Sequence, residues 1–303
     1  MVDRRELLKL SAASVALSAW PSLARAQKEM LKRKIPKSGE AIPAVGIGTS
    51  DVFDVGTGTD DRAPVKEVLR RFVELGGRVV DSSPMYGRAE TVVGDVAQEL
   101  GIAKSLFIAT KVWTRGKDAG VEQIQTSMRR LKAPAIDLMQ VHNLLDLQTQ
   151  LATLRDLKQQ GKIRYLGVTH YTVSSHRELE DLVRKEKLDF VQFNYSIATR
   201  DAEAKLFPAC AETGTATLIN RPFEDGALFS RVKGKPLPEW AKEIDCESWA
   251  QFFLKFIVSH PAVTCVIPAT AKLKHLEDNM QAGLGKLPDA KMRERMVQYM
   301  TQR

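Results

Sequence analysis

From residue 44 onward, short β-branched runs alternate with longer amphipathic stretches, and this alternation constrains the fold more than any other property of the chain. Strand-like runs fall at 44–48, 78–82, 106–111, 136–141, 163–168, 190–193, 215–219 and 263–267. Between and after them, apolar residues recur at helical spacing over 64–75, 88–100, 121–132, 149–160, 174–187, 202–213, 247–259 and 273–283. Strands separated by helices pair in parallel, because only a crossover of that length returns the chain to the same edge of the sheet. Eight of each predicts an α/β chain whose sheet closes on itself: a single-domain (β/α)8 TIM barrel over residues 27–303. An open dinucleotide-binding sheet is disfavoured, since no GxGxxG loop opens any helix. Ser38-Gly39 lies between two short apolar pieces and predicts a hairpin over 34–43 that closes the barrel bottom. The Pro- and Gly-containing stretch 222–246 predicts a long functional loop.

The first 26 residues differ from the rest. A twin arginine, an apolar stretch from Leu7 to Trp20 and a small-x-small site at Ala24-Arg25-Ala26 predict a cleaved leader. The apolar stretch is too short and too rich in Ala and Ser to cross the roughly 30 Å of a bilayer core as a stable helix, so no membrane anchor is expected. Asp3-Arg4-Arg5-Glu6-Leu7-Leu8-Lys9 resembles a twin-arginine translocation signal. The resemblance implies a bacterial chain handed to the twin-arginine translocase and delivered, already folded, to the periplasm.

The leader also supplies part of the formal +8 charge, through Arg4, Arg5, Lys9 and Arg25 against Asp3 and Glu6. The remaining cations stand singly among acids on amphipathic stretches, the pattern of a solvated surface, and this argues against a nucleic-acid partner. Cys210, Cys246 and Cys265 are too few for a disulfide framework and leave room for one pair, Cys210 with Cys246. No cysteine or histidine cluster has metal-ligand spacing, so no metal is expected.

In a parallel barrel the site lies where the strands end, which makes polar residues closing apolar runs the informative ones. Asp81 ends one run, Tyr86 follows in the loop behind it, Lys111 ends the next, and His142 ends the run after that. Each alone would be an ordinary loop contact; together on one rim they make a coherent acid. A phenol is a poor acid at neutral pH, a neighbouring ammonium favours its ionised form, and a buried ammonium needs a carboxylate to remain charged. Tyr86, Lys111 and Asp81 therefore predict a tuned proton donor, with His142 placed to orient a carbonyl.

These residues sit in a recognisable context. The stretch from Gly76 to Gly94, containing Asp81-Ser82-Ser83-Pro84-Met85-Tyr86-Gly87, resembles the first signature of the aldo-keto reductases. Ser127-Met128-Arg129-Arg130-Leu131 followed by Ile136-Asp137-Leu138 and His142 resembles the second, and the likeness runs over residues 34–285. It implies a catalytic tetrad of Asp81, Tyr86, Lys111 and His142 that reduces an aldehyde or ketone with hydride from NAD(P)H. Residue by residue, it implies nicotinamide contacts at Thr169, His170 and Gln192. Where the family has an aromatic residue stacked on the nicotinamide, this chain has Asn220, with Arg221 beside it as a pyrophosphate contact. The third signature corresponds to Ile267 through Asn279 and implies NADPH in preference to NADH. Where many members hold the 2′-phosphate with a Lys and an Arg, this chain has Ala269 and His275, with Lys272, Lys274 or protonated His275 as substitutes; Thr270 is a further cofactor contact, and Asp278 and Asn279 match the positions that contact adenine. Phe53 and Trp113 stand where an apolar substrate wall is expected.

The expected protein is thus an exported monomeric oxidoreductase with a small carbonyl substrate. Two competing readings are a barrel that holds NADP(H) without turnover, as a sensor or partner subunit, and a different barrel enzyme using Asp81 and His142 as an acid and base pair. The second leaves Tyr86 and Lys111 unexplained.

Overall fold

The computed structural model describes residues 29–302, so the leader expected over 1–26 lies outside the described residues. Its strands are β1 (Lys32–Lys34), β2 (Ala41–Pro43), β3 (Ile47–Gly48), β4 (Val79–Asp81), β5 (Phe107–Val112), β6 (Ile136–His142), β7 (Ile163–Thr169), β8 (Phe190–Asn194), β9 (Ala216–Asn220) and β10 (Cys265–Val266). Its α-helices are α1 (Thr59–Glu74), α2 (Ala89–Glu99), α3 (Lys117–Arg130), α4 (Leu147–Gln159), α5 (His176–Lys185), α6 (Leu206–Thr213), α7 (Ala227–Arg231), α8 (Trp249–Val258), α9 (Leu273–Gln281) and α10 (Ala290–Thr301).

Strands β3 to β10 form one parallel eight-stranded sheet in chain order. Parallel bridges from Val45 to Val266 and from Gly48 to Ala269 join its first and last strands, and the sheet becomes a barrel. Because side chains alternate across a strand, every second residue points into the barrel. Val79, Phe107, Ala109, Leu138, Tyr165, Phe190, Ala216, Leu218 and Cys265 fill the lower interior as one buried cluster. One further step along the same parity reaches Asp81, Lys111, Gln140, Gln192 and Asn220. The barrel interior is therefore apolar below and polar at its C-terminal mouth, which is how the fold collects the functional groups.

The hairpin forms as expected: β1 pairs antiparallel with β2, and Ile35 and Ile42 enter the same interior cluster as its floor. The stretch 222–246 is not an open loop. It contains α7 and a 3-10 turn at Glu239–Ile244, and it packs Leu228, Ala241 and Ile244 into the core. The final helix α10, which no periodicity reading anticipated, buries only Met296 and Met300.

All three cysteines are buried and free, so the Cys210–Cys246 pair does not form. Burial pushes the Cys210 and Cys246 thiols up to about 12. No helix among the described residues is long and apolar enough to cross a membrane.

Candidate active site

At the mouth of the barrel the four residues expected from strand ends converge. Lys111 donates from Nζ to Asp81 Oδ2 at 2.6 Å and to the Ser82 carbonyl at 2.6 Å. Both side chains of this pair are withdrawn from solvent, at 1% and 3% exposure. The ammonium lies 5.0 Å from the centre of the Tyr86 ring. Burial alone would push the Lys111 pKa down, but the Asp81 carboxylate and the Tyr86 phenol together outweigh it and hold the value above that of an ordinary lysine.

The second Asp81 oxygen is also occupied. Gln140 Nε2 donates to Oδ1 at 3.1 Å and Gln192 Nε2 at 2.9 Å, while Gln192 Nε2 also reaches Gln140 Oε1 at 3.2 Å. Gln140 is the functional neighbour that the sequence reading missed. The signal was present, since Gln140 and His142 are two apart on β6 and so share its inner face.

Tyr86 is presented by a tight turn. Its N–H donates to the Ser83 carbonyl at 3.1 Å, and its own carbonyl accepts from the Ala89 N–H at 3.0 Å as α2 begins. Gly87 has φ +55, and a Cβ there would sit 2.2 Å from the Asp54 carboxylate. That carboxylate accepts from the Arg88 backbone N–H at 3.1 Å and from Arg88 Nε at 3.0 Å, tying the loop that carries Tyr86 to the loop after β3.

The His142 ring meets the Tyr86 ring edge-on at 6.1 Å. Burial, with the nearby Lys111 and His170 charges, pushes the His142 pKa down to about 3. Above that pH the imidazole is neutral, keeping one N–H donor and one acceptor. A histidine whose folded-state value falls below its free value of about 6.5 contributes stability that is complete above that value and is lost as pH falls toward the folded one. The loss of urea resistance between about pH 6.5 and 3 is therefore expected to be smaller in His142→Gln than in the parent chain. Equal losses in the two proteins would show that His142 is not held neutral by the fold.

A cavity of about 620 Å³ opens above the tetrad, lined by Asp81, Tyr86 and His142 on one side and by Thr169, Gln192, Asn220 and Arg221 on the other. Asn220 donates from Nδ2 to Gln192 Oε1 at 3.3 Å, while its Oδ1 is buried without a hydrogen-bond partner among the described residues. Arg221 pairs with Asp225, and its guanidinium lies 5.7 Å from the Tyr171 ring centre.

The remaining expected contacts lie elsewhere. His170 Nδ1 accepts from the Tyr171 N–H at 3.0 Å and its ring stacks on Tyr171. Thr270 is buried and accepts from the Lys272 N–H at 3.0 Å, shaping the turn into α9. Lys272 and His275 are exposed at the start of that helix, and Asn279 is buried on it. The Asp278 carboxylate is already engaged, accepting from Ser248 Oγ and from Gln251 Nε2, both at 2.7 Å. It ties α9 to the start of α8.

The two expected wall residues are placed differently, and neither lines the cavity. The Trp113 ring is 38% exposed and 6.4 Å from the His142 ring, with its backbone held by Gln123. Phe53 is a correction: it is 0% exposed and belongs to the core, because the turn from Thr49 to Phe53 folds its side chain under the rim.

Comparison with known proteins bears on the family and the fold. The chain is 28% identical over 258 residues to methylglyoxal reductase YeaE of Escherichia coli (strain K12), covering 82% of this chain and 89% of that one. Among solved structures it resembles aldo-keto reductase AKR11C1 from Bacillus halodurans, with a TM-score of 0.73 at 22% identity over 90% of this chain and 96% of that one. An aldo-keto reductase from Klebsiella pneumoniae in complex with NADPH gives a TM-score of 0.73 at 24% identity, covering 90% and 95%. At such identities the structural likeness establishes the barrel alone. The sequence model of the Aldo/keto reductase family matches residues 44–295, from the first barrel strand into α10. A match of that extent rests on the whole barrel and not on one motif, and it places this chain in the aldo/keto reductase family of oxidoreductases.

Proposed function

We propose that the protein reduces the carbonyl group of an aldehyde or ketone to an alcohol, with NADPH as hydride donor and Tyr86 as proton donor. The observation that carries this reading is the buried Lys111–Asp81 pair beneath the Tyr86 ring at the foot of a ligand-sized cavity. A charge so fully withdrawn from water is costly to maintain, and beside a phenol it serves to stabilise the phenolate left after proton transfer. Neutral His142 supplies an N–H to the same carbonyl oxygen and aligns it with the phenol. The residues also suit a nicotinamide: the orphaned Asn220 Oδ1 is an acceptor for a carboxamide N–H, Thr169 and Gln192 lie beside it, and Arg221 offers a cation for phosphate. Bound there, the cofactor would supply the hydride.

The rim suggests the kind of substrate. Met85, Trp113, Tyr171, Val173 and Phe229 are the exposed large hydrophobic residues among those described, and each follows the C-terminal end of a barrel strand. Of these, Tyr171 and Phe229 line the cavity together with Phe223, and such walls favour carbonyls with an apolar or aromatic body. The twin-arginine resemblance supports export to the periplasm through that translocase, with cofactor bound before crossing, and the chain is taken as a monomer.

The test is titration of the purified chain lacking residues 1–26 with NADPH and NADH, followed by p-nitrobenzaldehyde. NADPH binding and its rapid oxidation are expected, with an aromatic aldehyde turned over better than a short polar one. Tight binding without oxidation across a broad carbonyl panel would favour the sensor reading. Failure to bind either cofactor would sink the proposal.

A further inference from the structure

We infer that Ser83 is a positioning residue that sets the tautomer of His142, so that its Nε2 carries the proton and its Nδ1 is the acceptor. Ser83 is fully buried, and its Oγ lies 3.2 Å from His142 Nδ1. The same Oγ is 3.2 Å from the Met85 backbone nitrogen, a group that can only donate. These two contacts leave two arrangements.

In the first, Met85 N–H donates to the hydroxyl oxygen and the hydroxyl gives its own proton to Nδ1. Every donor and acceptor in the trio is then used, and the imidazole proton resides on Nε2. In the second, Nδ1–H donates to Oγ alongside Met85 N–H, and the serine proton needs another acceptor. No other hydrogen bond of Ser83 Oγ is found among the described residues, so this arrangement buries an unmade donor. The first arrangement is the one the structure assigns.

The consequence concerns the edge of the ring that lines the cavity. With Nδ1 taken by Ser83, Nε2 is the nitrogen available to a ligand. As an N–H it donates to a carbonyl oxygen; as a bare nitrogen it would repel one. Ser83 acts on the acid as well, because its backbone carbonyl accepts the Tyr86 N–H at 3.1 Å across a turn whose second residue is Pro84. Proline there presets φ and offers no competing N–H. One residue thus holds both groups that face the carbonyl oxygen. The catalytic value of the Nε2 proton rests on the carbonyl-reductase reading, whereas the tautomer itself does not.

The experiment is 15N NMR of the purified protein labelled at histidine, at neutral pH and without cofactor or substrate. The His142 signals are assigned by their loss in His142→Gln, since the chain has five histidines. The expected spectrum of the parent protein shows His142 protonated at Nε2 alone; protonation at Nδ1 would overturn the inference without any variant. Ser83→Ala is expected to give a mixture of tautomers and Ser83→Thr, which keeps the hydroxyl, to restore the parent pattern. An unchanged tautomer in a folded Ser83→Ala would overturn it too, reducing Ser83 to a turn residue. In the assay above, Ser83→Ala should lower kcat about tenfold with little change in cofactor affinity, as expected when a carbonyl-orienting donor is present only part of the time. Loss of all reductase activity in the parent protein with the tautomer intact would count against the function and leave the role of Ser83 standing.

Discussion

Tyr86→Phe lowers kcat for carbonyl reduction by about 10²- to 10⁴-fold and leaves NADPH affinity within about twofold, the range seen when a positioned general acid is removed. The substitution takes away one hydroxyl and little else. The ring that remains still covers the Lys111 ammonium, 5.0 Å away in the parent chain, and the turn from Ser83 to Ala89 depends on backbone groups that phenylalanine also has. The loss therefore reads directly as loss of the proton donor. Single-turnover oxidation of bound NADPH on mixing with p-nitrobenzaldehyde checks it. A variant retaining more than a tenth of the parent rate would show that the proton arrives by another route, and Tyr86 would be reduced to a wall of the cavity.

The second large effect is on stability. Asp81→Asn is expected to cost about 3–5 kcal/mol in urea unfolding, because it leaves a buried ammonium without its counter-charge. The asparagine amide makes matters worse than its size suggests. Turned one way, it points N–H groups at Lys111 Nζ, which donates at 2.6 Å; turned the other, it points them at the Gln140 and Gln192 amides, which also donate. A double variant, Asp81→Leu with Lys111→Met, removes both charges and should regain part of that stability while remaining inactive, the shortfall reflecting the Gln140 and Gln192 amides that lose their acceptor. The dissociation of the two readouts is the point of the experiment. If the single variant unfolds within about 1 kcal/mol of the parent, the pair is hydrated in solution and cannot be the buried couple described above.

The eight barrel strands were legible because parity along a strand is a local property. Ala216, Leu218 and Asn220 alternate with residues facing the helices, and any reader of the chain can follow that period into the polar layer. Asp81, Lys111 and His142 were found for the same reason. What escaped was decided by distant contacts. Phe53 looked like a wall residue from its place after a strand, but the Thr49 turn sends it into the core. Asp278 stands on α9, and its bonds from Ser248 and Gln251 at the start of α8 span 30 and 27 positions, so nothing local to residue 278 announces them. The expected first strand over 44–48 shrinks to Ile47–Gly48 flanked by single bridges, since its upstream residues also serve the hairpin floor: Ala44 N–H bonds to the Leu31 carbonyl. Ser83 was read as part of a motif; its link to His142 spans 59 positions and appears only when β4 and β6 converge on the same mouth.

The three thiols have a bearing on where such a barrel can work. Each is sequestered and free, and Cys210 and Cys246 hold their protons up to about pH 12. Almost no thiolate then exists near neutrality to attack a disulfide or an oxidant. The thiols of the folded barrel accordingly stay reduced and unpaired on either side of a redox boundary. A chain that folds around its cofactor in a reducing compartment would need no disulfide formation to operate in an oxidising one.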